Sequence, residues 1–313
     1  MTKKITKIII LVILSAVILF EVGYIINRNI LNDNTSDSTV EITPEPIPVV
    51  GKDDENDDAK EKSRIIVIDP GHGKPSSLMS DEEKQSSGWV QNKDGDWGEW
   101  RHYKLGSATE NCEGSGCNGR VPTNGACWYP IANGDRSKES DINIRNAMAA
   151  KRHLEAMGYT VRMTRNSNNE NQSITKRLSY CYPNNDMTKS PDARLFISIH
   201  SNASGGEARG VAYIAAKDPY DQAWITADYS KLSNELGSLC IKQIDEMSSL
   251  SIYGNGEITW EPELITFCKS PVPCGYLEIG FFDNSSDFAI LNSENEIIGE
   301  GIAKGVDEFC KTH

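Results

Sequence analysis

The sequence predicts an α/β fold built on a mostly parallel sheet, and three observations carry that prediction. Short apolar runs such as Ile65-Ile66-Val67-Ile68 and Leu195-Phe196-Ile197-Ser198-Ile199 lack the polar alternation of a half-exposed strand, as expected of strands covered on both faces. Longer segments with apolar residues three and four apart alternate with these runs along the chain. Turn residues end them, the first run stopping at Asp69-Pro70-Gly71.

Taken in order, the first strand is Ile65 to Ile68. Asp141 to Met157 reads as a helix, because Ile144, Ala147, Ala150, Leu154 and Met157 share one face and Gly158 follows as a C-terminal cap. Strands are expected at Tyr159 to Thr164, Leu195 to Ile199, Val211 to Ala215 and Gly275 to Ile279, and helices at Tyr229 to Met247 and Ile297 to Cys310. Lys74 to Lys138 breaks the alternation. It is a long polar insertion rich in Gly and Asn that holds Trp89, Trp97, Trp100 and Trp128 together with Cys112, Cys117 and Cys127. No internal repeat is visible.

Upstream of the first strand, Lys3, Lys4 and Lys7 precede an apolar run from Ile8 to Phe20 that resumes after Glu21 through Ile26. The run is long enough for a transmembrane helix, and the lysines keep its N-terminal flank in the cytoplasm. Residues 1–28 are therefore expected to form a cytoplasmic flank and membrane anchor, with everything after it outside. A cleaved signal peptide is the alternative and implies secretion, although no small-residue cleavage pattern follows the run. Residues 29–63 are acidic and polar, the composition of a disordered stalk; its first 34 residues reach about 110–120 Å fully extended and about 30–35 Å as a coil. Residues 64–313 make up the remaining domain.

The 313 residues are 38% hydrophobic, so a sizeable core is available, and their formal charge of −13 argues against a nucleic-acid partner, which requires a surplus of Lys and Arg. All eight cysteines follow the apolar run, and in an oxidising compartment their even number suggests disulfides. Cys268 and Cys274, flanking a short Lys-Ser-Pro-Val-Pro loop, are the pair that spacing singles out. Nothing in the chain indicates its oligomeric state.

Four residues concentrate chemistry. His72 follows the first strand, His200 follows Leu195 to Ile199, and parallel strands bring their carboxyl ends to one edge. Glu139, before the Asp141 helix, returns to that edge. Two His and one carboxylate with an open fourth position form a catalytic zinc set. Glu278 lies in the apolar strand Gly275-Tyr-Leu-Glu278-Ile-Gly280, where an ionisable group is costly without a partner, and a carboxylate beside a zinc-activated water is a general acid and base. Singly, each has a plainer reading: a His in a Gly-rich turn, a carboxylate favoured by a helix N-terminus, a half-buried ion-pair partner. Their joint occurrence at matching strand ends favours the metal site. His102, His153 and His313 have no such context and read as structural or exposed.

The segments Ile65–Gly73 (IIVIDPGHG), Lys138–Asn143 opening a helix that runs on to Met163-Thr164-Arg165, Leu195–Ala203 (LFISIHSNA) and Leu277–Asn284 (LEIGFFDN) resemble, in order and approximate spacing, the successive motifs of the zinc-dependent N-acetylmuramoyl-L-alanine amidases. The resemblance runs from Arg64 to the C-terminus apart from the insertion. It implies a twisted, mostly parallel six-stranded sheet flanked by helices, His72, Glu139 and His200 as zinc ligands, and Glu278 as the catalytic carboxylate. The implied substrate is peptidoglycan, cut at the amide between N-acetylmuramic acid and the L-alanine of the stem peptide.

Two features depart from the family. Lys74 stands where a second Gly is common, and the insertion beside two expected ligands is much longer than usual. Its tryptophans suit a small subdomain core, a groove wall stacking on sugar faces, or an inhibitory lid; among the functional readings, substrate recognition is the expectation. Its three cysteines suit disulfides better than a second zinc outside the cell. Two rival functions share the scaffold: a zinc peptidase on another peptide, and a non-catalytic wall-binding regulator.

Overall fold

The structure, a computed structural model, describes residues 63–92, 94–102, 110–112, 125–131, 137–216, 226–258 and 270–313. In chain order its strands are β1 (Ile65–Pro70), β2 (Val90–Gln91), β3 (Trp97–His102), β4 (Glu110–Cys112), β5 (Gly125–Pro130), β6 (Thr160–Met163), β7 (Leu195–Asn202), β8 (Val211–Ile214), β9 (Ile252–Ile258) and β10 (Cys274–Phe281). The helices are α1 (Asp81–Ser86), α2 (Ser137–Ala156), α3 (Ile174–Ser179), α4 (Ala227–Met247), α5 (Ser285–Ser293) and α6 (Asn295–Thr312). The expected anchor and nearly all of the expected stalk lie outside the described residues, and among the described residues no helix is long and apolar enough to cross a membrane.

Six strands form one sheet in the order β6-β1-β7-β10-β8-β9. Every neighbouring pair is parallel except β10 with β8. The exception follows from connection length. Only the turn after Asn202 separates β7 from β8, too short for a crossover, so β8 runs back against the parallel strands. From β8 to β9 the chain passes through α4, and that crossover leaves β9 parallel to β8, so these two strands run opposite to the other four.

Alternate side chains sort to the two faces of the sheet. Ile66, Ile68, Ile197, Ile199, Leu277 and Ile279 pack on one face against Ala147, Ala150 and Leu154 of α2, Leu236, Ile241 and Ile244 of α4, and Ile298, Ile302 and Val306 of α6. Val67, Phe196, Cys274 and Tyr276 point the other way, onto Leu178, Cys181, Ala193, Ala216 and Val272. Double-sided cover is why these strands read as continuous apolar runs. The helices in turn approach closely: a Cβ on Gly305 of α6 would stand 2.5 Å from the Cα of Cys240 in α4, so a larger residue would push the two apart.

Several expectations change. β7 runs on to Asn202, because Glu278 pairs with His200 and Phe281 with Asn202. Helix α2 starts at Ser137, ahead of the expected Asp141. Within the insertion, β2, β3, β5 and β4 form a second sheet, and Trp89 is buried with Met79 and Ile131 while Trp97 packs against them; for Trp89 the subdomain-core reading holds. The side chains of Trp100, Trp128, Cys112 and Cys127, and all of Cys117, lie outside the description. The expected Cys268–Cys274 bridge is not borne out: Cys268 lies outside the described residues, and Cys274 is a free thiol facing the core from the start of β10. Cys181, Cys240 and Cys310 are likewise free and buried.

Candidate metal centre

The expected ligands meet at the carboxyl edge of the central strands. His72 lies in the turn after β1, His200 near the end of β7, and Glu139 in the first turn of α2 rather than on a loop before it. Glu139 Oε1 stands 3.1 Å from Nε2 of His72 and 3.2 Å from Nδ1 of His200, and one ligand atom from each of the three residues falls within 4.8 Å of the others. With zinc–donor bonds of about 2.0–2.1 Å and tetrahedral angles near 109°, neighbouring donors stand about 3.3 Å apart. Two edges of the cluster match that spacing, so the donor set fits zinc in chemistry and along those two edges. Burial alone would push the Glu139 carboxyl up, but the hydrogen bonds and charges of His200 and His72 outweigh it and hold it well below the usual carboxylate range.

The approach of the rings depends on local sequence. A Cβ on Gly71 would stand 2.3–2.5 Å from three atoms of the His200 ring, so only glycine lets the first turn pass beneath that imidazole. His72 itself has φ +59°, a left-handed conformation that costs a non-glycine residue energy and must be held by its surroundings. The surface under His200 is Tyr276, stacked on it with ring centroids 4.5 Å apart and planes 13° from parallel.

Two buried arginines hold the His72 turn, and sequence reasoning assigned neither of them a role. Arg177 of α3 donates from Nη1 to Asp69 Oδ1 at 2.8 Å and to the Pro70 carbonyl at 3.1 Å, and from Nη2 to the His72 carbonyl at 2.8 Å. Arg165, after β6, donates to the carbonyls of Pro70 and Gly71 at 2.9 Å and to that of Ser140, beside Glu139, at 3.0 Å. Its burial and the neighbouring Arg177 push its guanidinium down to about 9, which still leaves it charged at neutral pH. Asp69 balances the two charges. Burial opposes its ionisation, but Arg177 and the hydroxyl of Thr164 at 2.5 Å hold its carboxyl below the ordinary value, and Ser198 adds a donor at 2.9 Å. Asn143 of α2 donates to the Gly71 carbonyl at 3.3 Å and accepts from Ser201 at 2.9 Å, joining α2, the turn and β7.

Glu278 sits in β10 opposite His200 in register, on the face that carries Tyr276 and His200, and is buried at 8% exposure. It is not among the three clustered ligands. The remaining histidines are elsewhere: His153 faces Glu296 at 3.7 Å, His313 faces Glu235 at 3.1 Å, and the side chain of His102 lies outside the description.

Fold and cluster together define an α/β domain with a candidate metal centre at the carboxyl edge of its sheet. Residues 66–308 match the N-acetylmuramoyl-L-alanine amidase family, and the chain belongs to that family. Among solved structures it is similar to the N-acetylmuramyl-L-alanine amidase Ami1 from Mycobacterium smegmatis, with 15% identity and a TM-score of 0.52 over 80% of this chain and 97% of that one. It is also similar to Cwp6 from Clostridium difficile, at 20% identity and a TM-score of 0.47 over 79% of this chain, where it spans 29% of Cwp6. A third is the CwlD amidase from Clostridioides difficile, solved in complex with the GerS lipoprotein, at 18% identity and a TM-score of 0.46 over 80% of this chain and 99% of that one. At 15% identity the likeness to Ami1 shows the fold alone. No curated protein sequence matches the chain significantly.

Proposed function

We propose that the chain is a zinc-dependent hydrolase of peptidoglycan that cuts the amide between N-acetylmuramic acid and the L-alanine of the stem peptide. The observation that carries this reading is Glu139 Oε1, shared at zinc-donor spacing by two imidazoles, with Glu278 in register beside one of them. His72, Glu139 and His200 would hold the metal. A zinc ion held there would supply Lewis acidity, enough to polarise the scissile carbonyl and to let a water lose a proton near pH 7. Glu278 takes that proton on its carboxylate and delivers it to the departing alanine nitrogen, so that the amine leaves neutral. Tyr276 keeps the His200 ring in place, and Asp69, Arg165 and Arg177 keep the His72 turn in place.

The Lys-flanked apolar segment at the N-terminus fits this function as an anchor holding the catalytic unit outside the cell, within reach of the wall. The test is digestion of purified peptidoglycan by the zinc-loaded protein, with the new amino termini identified by mass spectrometry. Free L-alanine termini are expected; a different new terminus would assign the zinc chemistry to another bond.

A further inference from the structure

The insertion touches more than its own core. Lys74 donates its backbone N–H to the Glu170 carbonyl at 3.0 Å, and the Asn171 amide donates back to the Lys74 carbonyl at 2.9 Å. Trp89 donates its indole N–H to the Asn171 carbonyl at 2.7 Å, and the Ser173 N–H reaches the Ser87 carbonyl at 3.0 Å. Next along the chain, Glu99 of β3, 3% exposed, accepts from the backbone N–H groups of Ile174 and Thr175 at 3.3 and 3.2 Å and from the Thr175 hydroxyl at 3.4 Å. Those N–H groups open α3 and have no partner within the helix, so the buried carboxylate satisfies donors that the helix itself leaves unpaired. Less than one turn later α3 presents Arg177, whose guanidinium holds Asp69, Pro70 and His72.

We propose that Glu99 is a positioning residue for the metal centre: it fixes the start of α3, α3 aims Arg177, and Arg177 holds His72 in its left-handed conformation. The proposal rests on the reading of His72, Glu139 and His200 as metal ligands. It gives the insertion a role that neither a lid nor a groove wall supplies, that of a brace behind the zinc site. A brace matters there because the ligand turn is strained and metal–donor distances tolerate only about 0.2 Å of error. Freeing the two N–H groups at its start would let α3 shift by more than that.

The test measures zinc dissociation constants by competition with a chromophoric chelator, on the full-length protein at a temperature where every variant is folded. Supporting groups behind metal ligands typically control affinity by about 10–100-fold; acting through α3, Glu99→Ala is expected to weaken zinc binding by about 10-fold and to alter the visible spectrum of the cobalt-substituted protein. Arg177→Lys should weaken zinc as well, and adding Glu99→Ala to it should cost little more, since both act on one arm. If Glu99→Ala does not fold, Glu99→Asp, which keeps the charge but draws it back by one methylene, gives the same reading. A folded variant that melts earlier yet keeps the wild-type zinc constant and cobalt spectrum overturns the brace and leaves Glu99 a local clasp. If the wild-type chain binds no stoichiometric zinc, the metal-centre reading falls, and the brace with it.

Discussion

Glu139 offers a single oxygen to two imidazoles, while Glu278 stands outside the cluster in the next strand. The two carboxylates should therefore fail differently. His72→Ala or His200→Ala is expected to lose zinc, whereas Glu278→Ala should retain it and lose turnover by about 10²-fold or more, the usual contribution of a positioned acid or base. Metal content and turnover measured on the same preparations check this, and near-normal turnover of Glu278→Ala at saturating zinc would remove its assigned role. Asp69 gives a second prediction. Its folded carboxyl titrates below the unfolded value of 3.8, so its stabilisation is present above about pH 4 and is withdrawn as pH falls through the folded value. Asp69→Asn should cost about 3–5 kcal/mol at pH 7, because it leaves Arg177 buried without its counter-charge, and the gap to wild type in thermal melts should close in acid. The candidate ligands were legible because each is an ionisable group set at a turn, a helix start or an apolar strand at one sheet edge. Arg165 and Arg177 were not, since each lies in a polar stretch where arginine reads as solvent-exposed, and only the fold brings them under the His72 turn.

Among the elements, β1 and its turn depend most on one missing side chain. Gly71→Ala places a methyl where the His200 ring lies, and neither the ring nor the backbone beneath it can yield without moving a candidate metal ligand. Zinc affinity should fall by about 10–100-fold, the usual effect of disturbing groups that orient metal ligands, with secondary structure by circular dichroism unchanged. Wild-type affinity in this variant would show that the turn has room to relax. Legibility at this scale followed length and periodicity. Helices α2, α4 and α6 carry sustained apolar faces and stood out, as did β1, β7 and β10 with their apolar runs. The strand β9 did not, because Ile252-Tyr-Gly-Asn-Gly-Glu-Ile258 reads as a turn; it survives as an edge strand beside β8 with its two glycines at positive φ. Short α3 and the strands of the insertion likewise have too few residues to show a period. The reversal of β8 follows from its short connection to β7, and periodicity does not record strand direction.

For the whole molecule, the N-terminal segment gives a prediction independent of the site. As an uncleaved anchor, it should keep the full-length protein with membranes through a high-salt wash, with the catalytic unit open to protease once the wall is removed. A mature N-terminus between residues 25 and 30 recovered from the medium would show secretion after cleavage instead. The strand order also fixes when the fold can begin. Ile66 pairs with Val161, 95 positions downstream, and on its other side with Leu195, 129 positions downstream, so one edge of β1 stays open until Leu195, the later partner, is made. At roughly 5–20 residues per second a ribosome needs about 6–26 s to supply that partner. An apolar strand waiting so long is prone to pair with other nascent chains. Until Leu195 arrives, the run is guarded by the charges beside it, Lys60, Glu61, Lys62 and Arg64 upstream and Asp69 downstream, which make aggregation through it costly.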